Sequence, residues 1–500
     1  MDLLSNLGIG LVAALTFQNL LYCLIGCMLG TLIGVLPGIG PVATIAMLLP
    51  VTYALPPVAA LIMLAGIYYG AQYGGSTTSI LVNLPGEASS AVTCIDGYQM
   101  ALQGRAGAAL SIAALGSFFA GCVGTLLLAA FAQPMTELAL KFGPAEYFSL
   151  MILGLIGAVV LAHGSLLKAI TMIILGLLLG LVGTDVNSGM ARFSFGVPEL
   201  TDGLGTAQIA MGVFGFAEIL INLEKQGQRN LLAEKLSRLW PTKEEAKLAA
   251  PAVVRGTIIG CLLGILPGGG ALLASFAAYG LEKKVAKHPE QFGKGAIQGV
   301  AGPESANNAA AQTSFIPLLT LGIPSNPVMA IMVGAMMIHG IQPGPQVMTE
   351  QPKLFWGLIA SMWIGNFMLV IINLPLVGIW VKLLTVPYRW LYPAILMLIA
   401  VGTYGVNNSW VEVMITAGFG VVGYVFYKLG CEPAPLVLAL VLGPLMEENL
   451  RRALLISRGD PTVFVQRPIS AVLLAMALML VIAFVLPSLK KTRTEAFKEA

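Results

Sequence analysis

Charge is scarce in this sequence. Of its 500 residues only 10% are Asp, Glu, Lys or Arg, whereas 57% are apolar. A soluble domain has roughly a quarter of its residues charged, so this chain has too few polar side chains to cover a soluble core. The 84 residues between Asp2 and Glu87 contain none of the four charged residue types. Because such a stretch is stable in hydrocarbon, the sequence predicts an all-α polytopic membrane protein.

Several motifs that carry chemistry are absent as well. The sequence has no P-loop Gly-x-x-x-x-Gly-Lys, no His-Glu-x-x-His and no Gly-x-Ser-x-Gly nucleophile elbow, so neither ATP hydrolysis nor hydrolytic enzyme chemistry is indicated. The six cysteines and three histidines are scattered and show no metal-ligand spacing. The net charge of +3 does not indicate a nucleic-acid partner. We therefore predict a protein that is not an enzyme and has no disulfide, metal site or organic cofactor.

The apolar residues are sufficient for about ten to twelve transmembrane helices at roughly 20 residues per crossing. One polar stretch interrupts them, because residues 224–247 carry ten charges, six of them basic. Basic loops are held on the cytoplasmic side of a membrane, so this stretch predicts a cytoplasmic loop. The predicted organisation is a first membrane repeat at 1–223, a polar cytoplasmic loop at 224–252, a second membrane repeat at 253–468, and a final helix with a basic cytoplasmic tail at 469–500.

Two parts of the chain resemble each other. The run Gly34-Val35-Leu36-Pro37-Gly38-Ile39-Gly40 recurs as Gly264-Ile265-Leu266-Pro267-Gly268-Gly269-Gly270, and Thr78-Ser79 recurs as Thr313-Ser314. Each hydroxyl pair precedes a second Pro/Gly break, at 83–86 and at 321–324. Motifs in the same order predict two structural repeats, the usual architecture of secondary transporters. Residues 282–294 hold four lysines whereas the counterpart at 52–64 has no charge, which favours inverted repeats.

The repeated Gly/Pro breaks predict broken or re-entrant helices. Proline removes a backbone donor and glycine allows positive φ, so a helix stops there. Broken helices in membranes face protein or a wet cavity, and the exposed N–H groups of a half-helix suit an anion. We therefore predict that backbone N–H groups bind substrate at both breaks, at Gly38, Gly40, Gly268, Gly269 and Gly270. The alternative interpretation of each break is a plain kink or tight packing.

Polar side chains follow the breaks in otherwise apolar sequence. Hydroxyl and amide groups of this kind suit a carboxylate or a partly dehydrated cation, and we predict substrate binding by Ser76, Thr77, Thr78, Ser79, Asn83, Asn307, Asn308, Thr313 and Ser314. The alternative is hydroxyls that bond back to their own helix. Acidic and polar residues beside these segments are candidates for ion coupling, namely Glu87, Glu304, Ser325 and Asn326. The two glutamates could instead be loop residues at the membrane surface.

Six segments together resemble the large membrane subunit of the tripartite tricarboxylate transporters, the TctA-type permeases. They are Gly34-Val35-Leu36-Pro37-Gly38, Tyr73-Gly74-Gly75-Ser76, Asn83-Leu84-Pro85-Gly86-Glu87, Gly302-Pro303-Glu304-Ser305-Ala306-Asn307-Asn308, Gly322-Ile323-Pro324 and Glu447-Glu448-Asn449-Leu450-Arg451-Arg452. The resemblance implies a multi-pass permease of the bacterial inner membrane that works with a small membrane subunit and a periplasmic solute-binding protein. It also implies tricarboxylate substrates such as citrate, or related organic acids, and an ion gradient as the energy source.

Residues and resemblance together predict a secondary active transporter subunit. It would import an organic acid anion by alternating access, coupled to a gradient of Na⁺ or H⁺. The lack of basic residues near the repeated motifs favours recognition by helix ends and a bound cation. A passive anion channel, in which the breaks form a constriction, is the alternative from another class. An intramembrane enzyme is a more distant one, because no catalytic pair is recognisable.

Overall fold

A computed structural model describes residues 3–36, 40–161, 165–185, 188–224, 239–266, 270–384 and 388–485. The described chain is helical almost throughout, which confirms the predicted all-α class. Two-residue strands, β1 (Gly183–Thr184) and β2 (Ala191–Arg192), pair antiparallel in a small hairpin.

The helices before the central polar loop are α1 (Leu3–Ala14), α2 (Phe17–Val35), α3 (Gly40–Tyr53), α4 (Pro57–Val82), α5 (Ala91–Leu102), α6 (Ala106–Ala139), α7 (Pro144–Leu161), α8 (Leu166–Gly180), α9 (Thr206–Ala210) and α10 (Ala217–Glu224). A π-helical segment, Met211–Phe216, joins the last two into one continuous helix. Short 3₁₀ turns lie at Ala88–Ser90 and Pro198–Asp202.

The helices after the loop are α11 (Lys243–Ile265), α12 (Gly270–Val285), α13 (Gln298–Thr313), α14 (Phe315–Leu321), α15 (Pro327–Ile338), α16 (Gln346–Glu350), α17 (Pro352–Asn373), α18 (Val377–Leu383), α19 (Tyr388–Asn407), α20 (Trp410–Lys428), α21 (Ala434–Ile456), α22 (Val463–Gln466) and α23 (Pro468–Val485). A 3₁₀ turn at Pro289–Gln291 lies between α12 and α13.

Within the described residues, six helices are long and apolar enough to cross a membrane by length and composition: Phe17–Val35, Ala106–Ala139, Thr206–Glu224, Lys243–Ile265, Pro352–Asn373 and Trp410–Lys428. Several shorter apolar helices accompany them. The chain is thus a polytopic membrane protein, and the number of ten to twelve crossings stays a prediction. The outer helices α20 and α23 expose many large apolar side chains, as expected where lipid is the solvent.

The predicted helix interruptions are confirmed. Helix α2 ends at Val35 and α3 begins at Gly40, which has a φ of +65°. Helix α11 ends at Ile265 and α12 begins at Gly270, which has a φ of +53°. Residues 37–39 and 267–269, and with them the candidates Gly38, Gly268 and Gly269, lie outside the described residues. The later breaks also occur, since α4 ends at Val82 and α14 at Leu321.

Glycines four residues apart let two helix pairs pack with their backbones in contact. On α2 and α11, a Cβ atom would overlap a backbone carbonyl oxygen of α4 or of α13, respectively, at each of six positions: Gly26, Gly30, Gly34, Gly256, Gly260 and Gly264. The three glycines of α11 follow those of α2 by 230 residues, the same offset as the broken motif. Small residues at this spacing are what allows close helix packing in membranes.

The direction of each helix follows from these contacts. Helix α13 runs parallel to α6, because Gly116 packs on Ser305 and Gly124 packs on Gln312. Helix α4 runs the opposite way to α13: Ser76 bonds Glu304, whereas Ile80 lies over Gly97 at the level of Val300. Helix α2 is parallel to α4, and α11 is parallel to α13. Helices α2 and α3, and likewise α11 and α12, each form a helical hairpin with the Gly/Pro break at its tip. The hairpins α2–α3 and α11–α12 therefore enter the bundle from opposite ends, which supports the prediction of inverted repeats but does not establish that the halves are repeats.

One end of the bundle is basic. Arg105, before α6, pairs with Glu245 at 2.8 Å and donates to the Gly295 carbonyl, and Gln103 donates to that of Lys294. We call the end formed by 103–105, 243–245 and 283–296 the basic end. By the positive-inside rule it is predicted to be cytoplasmic. The opposite end is where α6 finishes at Ala139.

The predicted loop 224–252 is partly helical, because α11 begins at Lys243. The Thr242 hydroxyl accepts the Glu245 N–H at 3.1 Å, and the Glu245 carboxylate accepts the Thr242 N–H at 2.8 Å. This reciprocal capping satisfies two backbone donors at the start of the helix. A charged capping sequence therefore starts the first helix of the second half ten residues before the predicted boundary at 253.

Candidate functional site

A cavity of about 380 Å³ lies where the broken helices meet. Its volume is within the range typical of small-molecule sites. Its lining comes from both halves of the chain and consists of Gly40, Pro41, Val42, Tyr68, Gln72, Pro85, Gly86, Glu87, Ala88, Ser89, Ala158, Phe214, Glu218, Gly270, Ala271, Leu272, Leu273, Asn326, Pro327, Val328, Glu432, Ala434, Pro435 and Leu438. The two hairpin tips, predicted to meet, thus border the same space through Gly40 and Gly270.

Four helices begin at this cavity: α3 at Gly40, α12 at Gly270, α15 at Pro327 and α21 at Ala434. The first N–H groups of a helix have no partner within the helix, and the helix dipole adds a partial positive charge there. No Lys, Arg or His is among the described residues that line the cavity. Among the described lining groups, those that suit a carboxylate are therefore the helix starts with their backbone dipoles.

Asn326 holds one of these helix starts in place. Its Oδ1 accepts the Met329 N–H at 3.0 Å and so caps α15, while its Nδ2 donates to the Tyr68 hydroxyl at 3.3 Å. A Cβ atom at Gly270 would lie 3.4 Å from the Asn326 Cβ, so the tip of α11–α12 rests against this cap. Asn326, predicted as an ion-coupling residue, thus lines the cavity together with Tyr68.

Three glutamates also line the cavity: Glu87, Glu218 and Glu432. The Ser89 hydroxyl contacts the Glu87 carboxylate and lies 2.7 Å from Gln72 Oε1. The lining thus combines helix starts, which suit an anion, with acidic side chains.

Glu304 lies deeper, behind the wall formed by Gln72. Its side chain is completely buried, which excludes the alternative of a loop residue at the membrane surface. Its Oε2 is 2.5 Å from the Ser76 hydroxyl, and its Oε1 contacts the Thr93 hydroxyl. The Ser76 hydroxyl is also 3.1 Å from the carbonyl oxygen of Gln72. Of the predicted hydroxyls, Ser76 is therefore the one that reaches a candidate ion-coupling acid.

The other predicted hydroxyls do not line the cavity. Within the described residues they donate to backbone carbonyls: Thr78 to Val35, Ser79 to Ser90, Thr313 to Ala309, Ser314 to Ala311 and Ser325 to Ser314. Thr78 ties α4 to the end of α2, whereas Thr313 and Ser314 bond back to their own chain segment, as the alternative interpretation states. Thr77 is buried in α4. Substrate binding by these groups stays a prediction.

The predicted amides occupy three different settings. Asn83 is an exposed residue in the left-handed conformation that ends α4. Asn308 donates to the Ser117 hydroxyl at 2.7 Å. Asn307 is completely buried, and neither of its polar side-chain atoms is bonded within the part of the chain that the structure describes. All three lie outside the cavity lining, so their contact with substrate also stays a prediction.

Sequence reasoning missed several lining residues. Tyr68 and Gln72 lie on the face of α4 that precedes the hydroxyl run, and helical spacing from Ser76 could have indicated them. Phe214 lies in the π-helical segment, a feature often found at functional sites, but no sequence signal marks it. Glu432 lies directly before Pro433, which precedes the start of α21, and proline is common near a helix start.

Comparisons with known proteins agree with this architecture. The family model described as the tripartite tricarboxylate transporter TctA family matches residues 20–438. The chain is 60% identical over 499 residues to an uncharacterized 52.8 kDa protein in the TAR-I ttuC' 3' region of Agrobacterium vitis, which covers 100% of this chain and 99% of the relative. It is 62% identical over 240 residues to an uncharacterized protein in the TAR-II ttuC' 3' region of the same organism, covering 48% of this chain and 99% of that relative. No solved structure matches it at a significant level.

Proposed function

The chain belongs to the tripartite tricarboxylate transporter TctA family and is a membrane transport subunit; from this premise we propose that it imports tricarboxylates or related organic acid anions, driven by a Na⁺ or H⁺ gradient. The substrate site in this proposal is the cavity between the two hairpin tips. Family membership supports the substrate class, and the cavity supports the location.

One observation supports placing the substrate site in this cavity: four helix N-termini converge on it. Its described lining contains no basic side chain. Three of these helix starts contain a proline, which has no N–H (Pro41, Pro327 and Pro435), and a polycarboxylate can be held by the backbone N–H groups that remain. Tyr68, Gln72 and Asn326 add neutral polar groups beside them. The mostly apolar remainder of the wall strengthens each of these interactions by excluding water.

The hairpins suggest how the site is exposed alternately to the two sides. Each hairpin reaches the cavity from its own end of the bundle and contributes one wall, so movement of either opens a path to that end. Secondary transporters built from inverted halves work by rocking one half against the other around a fixed midplane site. In this proposal α2–α3 controls access from the opposite end and α11–α12 controls access from the basic end.

The proposed partners follow from family membership. A tripartite system implies other subunits, and we propose that these are a small membrane subunit and a periplasmic solute-binding protein that captures the anion first. The proposed location is the bacterial inner membrane, with the basic end in the cytoplasm. A binding protein would then deliver substrate at the opposite end.

The experiment is uptake of labelled citrate and of tartrate by cells or vesicles that contain all three subunits. Tyr68→Phe removes a hydroxyl that lines the cavity. If that hydroxyl binds a carboxylate, we expect the KM to rise at least about 10-fold, since such a hydrogen bond is worth about 1.5–3 kcal/mol and each 1.4 kcal/mol is tenfold. The matched control is Tyr53→Phe, at an exposed position that ends α3.

A second variant tests the helix start. Asn326→Ser keeps an oxygen that can cap α15 but removes the donor to Tyr68, whereas Asn326→Ala removes both. We expect the alanine variant to lose more uptake than the serine variant, because the cap alone is worth about 1 kcal/mol. Unchanged KM in both Tyr68→Phe and Asn326→Ala would contradict the proposed site. Uptake that never exceeds the external concentration would identify a passive channel instead.

A further inference from the structure

Glu304 is an acid buried in the centre of the bundle, and its role concerns the ion that drives transport. It lies on α13 with no exposed surface, and no Lys or Arg bonds it among the described residues. Burying an unpaired charge is very costly, so such an acid holds a proton or binds a cation. The hydrogen bonds of Glu304 indicate whether it takes a proton or a cation, and this inference rests on the proposed function.

The hydrogen bonds fit a protonated acid. With a proton on Oε2, Glu304 donates to the Ser76 oxygen at 2.5 Å, and the Ser76 hydroxyl then donates to the Gln72 carbonyl at 3.1 Å. The Thr93 hydroxyl donates to Oε1. Every hydroxyl and carboxyl hydrogen in this hydrogen-bonded series then has an acceptor. If Glu304 is ionised instead, Ser76 must donate its single hydrogen to the carboxylate. The negative charge of Glu304 then has no cation beside it among the described residues.

Spacing also disfavours sodium at this point. Both carboxylate oxygens already lie at hydrogen-bonding distance from hydroxyl groups, so a bound sodium ion would have to displace these hydrogen bonds. A proton needs no such displacement, because the 2.5 Å contact with Ser76 accommodates an O–H···O hydrogen bond in either direction.

The titratable or charged groups on elements that pack against α13 around Glu304 are Tyr73 on α4, Glu87 before α5, Cys94 and Asp96 on α5, Cys122 on α6, Arg255 on α11, and Tyr279 and Glu282 on α12. Three of the charged ones are already matched. Arg255 pairs with Glu282 at 2.7 Å, and Asp96 accepts three backbone N–H groups of residues 293–296. Glu304 is therefore left to be neutralised by a mobile ion.

A row of buried polar side chains leads from Glu304 toward the opposite end of the bundle. Along α6, Ser117 bonds Asn308, Gly121 packs on Asn366, and Gly124 packs on Gln312. Tyr73 bonds Asn366 at 3.1 Å. Residues 304, 308 and 312 lie one helical turn apart, so the row spans about 12 Å.

Several atoms in this row have no partner among the described residues. Asn308 Oδ1, Asn366 Nδ2 and both polar atoms of Gln312 lack a hydrogen bond there, and each of these residues is at most 1% exposed. Leaving a buried polar atom unsatisfied is costly, so such atoms usually bind internal water. Water bound along this row would extend a polar path from Glu304 about 12 Å toward the opposite end and would carry protons along it.

The cavity lies on the other side of Glu304. Gln72 lines the cavity and its carbonyl is the acceptor for Ser76, so Gln72 and Ser76 link the cavity to the acid. An anion in the cavity disfavours the charged form of Glu304 across this thin, low-dielectric wall. Binding of the anion and of the proton therefore strengthen each other, and this coupling is reciprocal.

We propose that Glu304 is the proton-binding residue of this transporter, loaded through the row Asn308–Asn366–Gln312 and coupled to the cavity through Ser76 and Gln72. One proton binds the carboxylate from the opposite end before the substrate crosses. It leaves toward the basic end once the substrate has been released. The driving force is then a proton gradient, and sodium has no required part.

The test uses proteoliposomes with both membrane subunits and the solute-binding protein loaded with labelled citrate or tartrate. External pH is kept constant and only the internal pH is changed, so that substrate ionisation outside is the same in every arm. Three rates are measured: uptake driven by a pH gradient, uptake driven by a sodium gradient, and exchange with internal substrate when no gradient is present. For the unmodified protein we expect accumulation with the pH gradient and none with sodium alone.

Glu304→Gln resembles the protonated acid and cannot release a proton. We expect gradient-driven uptake to fall at least about 10-fold while exchange stays within about threefold, a split that a merely structural defect would not produce. The matched control is Glu137→Gln, an exposed glutamate on α6. Gln312→Leu, with Gln133→Leu as its exposed control, should slow gradient-driven uptake and spare exchange, and it keeps the acid itself if Glu304→Gln fails to assemble.

The outcomes separate this inference from the proposed function. Accumulation driven by sodium and indifferent to the pH gradient would overturn proton coupling but leave carboxylate transport intact. Full proton-driven accumulation by Glu304→Gln would overturn the assignment of the residue. If the unmodified complex moves no carboxylate in any arm, including exchange, the proposed function itself is wrong.

Discussion

The ion pair between Arg255 and Glu282 gives a prediction about the hairpin that enters from the basic end. The guanidinium binds the carboxylate through two hydrogen bonds, Nε to Oε1 and Nη2 to Oε2, each 2.7 Å long. The pair joins α11 to α12, and the Glu282 side chain packs against Gly302 of α13. The two partners differ in exposure, since the Arg255 side chain is 38% exposed and that of Glu282 only 2%. The cost of breaking the pair should therefore depend on which partner is removed.

Arg255→Met leaves a buried carboxylate without its partner, and we expect a loss of stability of about 3 kcal/mol, the low end for a broken buried pair. Glu282→Gln leaves a cation that water can reach, and we expect about 1 kcal/mol, close to the value for exposed pairs. The double variant Arg255→Met, Glu282→Leu removes both charges and should recover most of the loss. The pair Lys428–Glu224, with side chains 45% and 49% exposed, is the control, and removing either partner there should cost less than about 1 kcal/mol.

In the assay, detergent-purified protein is heated and then analysed by size-exclusion chromatography. The quantity measured is the temperature at which the monodisperse peak falls to half its height. The expected order of stability is wild type, Glu282→Gln, then Arg255→Met, with the double variant above Arg255→Met. Equal losses for the two single variants would refute the argument from unequal burial. A double variant less stable than both singles would show that the charges are needed for more than pairing.

Three further predictions concern helix packing, a loop and a helix start. Gly260→Ala should destabilise the protein by about 1–3 kcal/mol, because a Cβ atom there overlaps a carbonyl of α13, whereas Gly280→Ala, with open space around it, should be neutral or slightly stabilising in the same thermal assay. Asp96→Asn should loosen the segment 293–296, whose backbone N–H groups Asp96 accepts at 2.8–2.9 Å, and faster trypsin cleavage there would report it; unchanged cleavage would contradict this role. Thr242→Ala should lower stability by about 1 kcal/mol through loss of the capping box, and Thr242→Ser should retain most of it.

Much of the fold could be predicted because membranes restrict the choices of a chain. Long uncharged segments can only be helical in lipid, and a glycine–proline break stops a helix in any context. The ends of α2 and α11, and the starts of α3 and α12 at Gly40 and Gly270, therefore follow from local sequence. The start of α11 at Lys243 was missed because the charged stretch suggested a loop, whereas a capping box makes the same residues helical.

The site was only partly predictable. Gly40, Gly270, Glu87 and Asn326 line the cavity, and each lies at a break that the sequence marks. The hydroxyls of the run 76–79 were assigned to substrate because oxygen-rich sequence looks alike whether it faces a ligand or a neighbouring helix. Their hydrogen bonds depend on which helix packs beside them. Thr78 bonds the carbonyl of Val35, a contact between segments 43 residues apart.

The sequence by itself determined that this chain is a helical membrane protein with broken helices and, through its family motifs, a transport subunit. These features depend on local chemistry, namely the absence of charge, the positions of proline and glycine, and motifs of adjacent residues. Only the tertiary structure decided which groups share a cavity. It brought the starts of α3, α12, α15 and α21 together and placed Glu304 behind Gln72. Contacts of this kind join residues up to several hundred positions apart, and packing between helices, not local propensity, selects them.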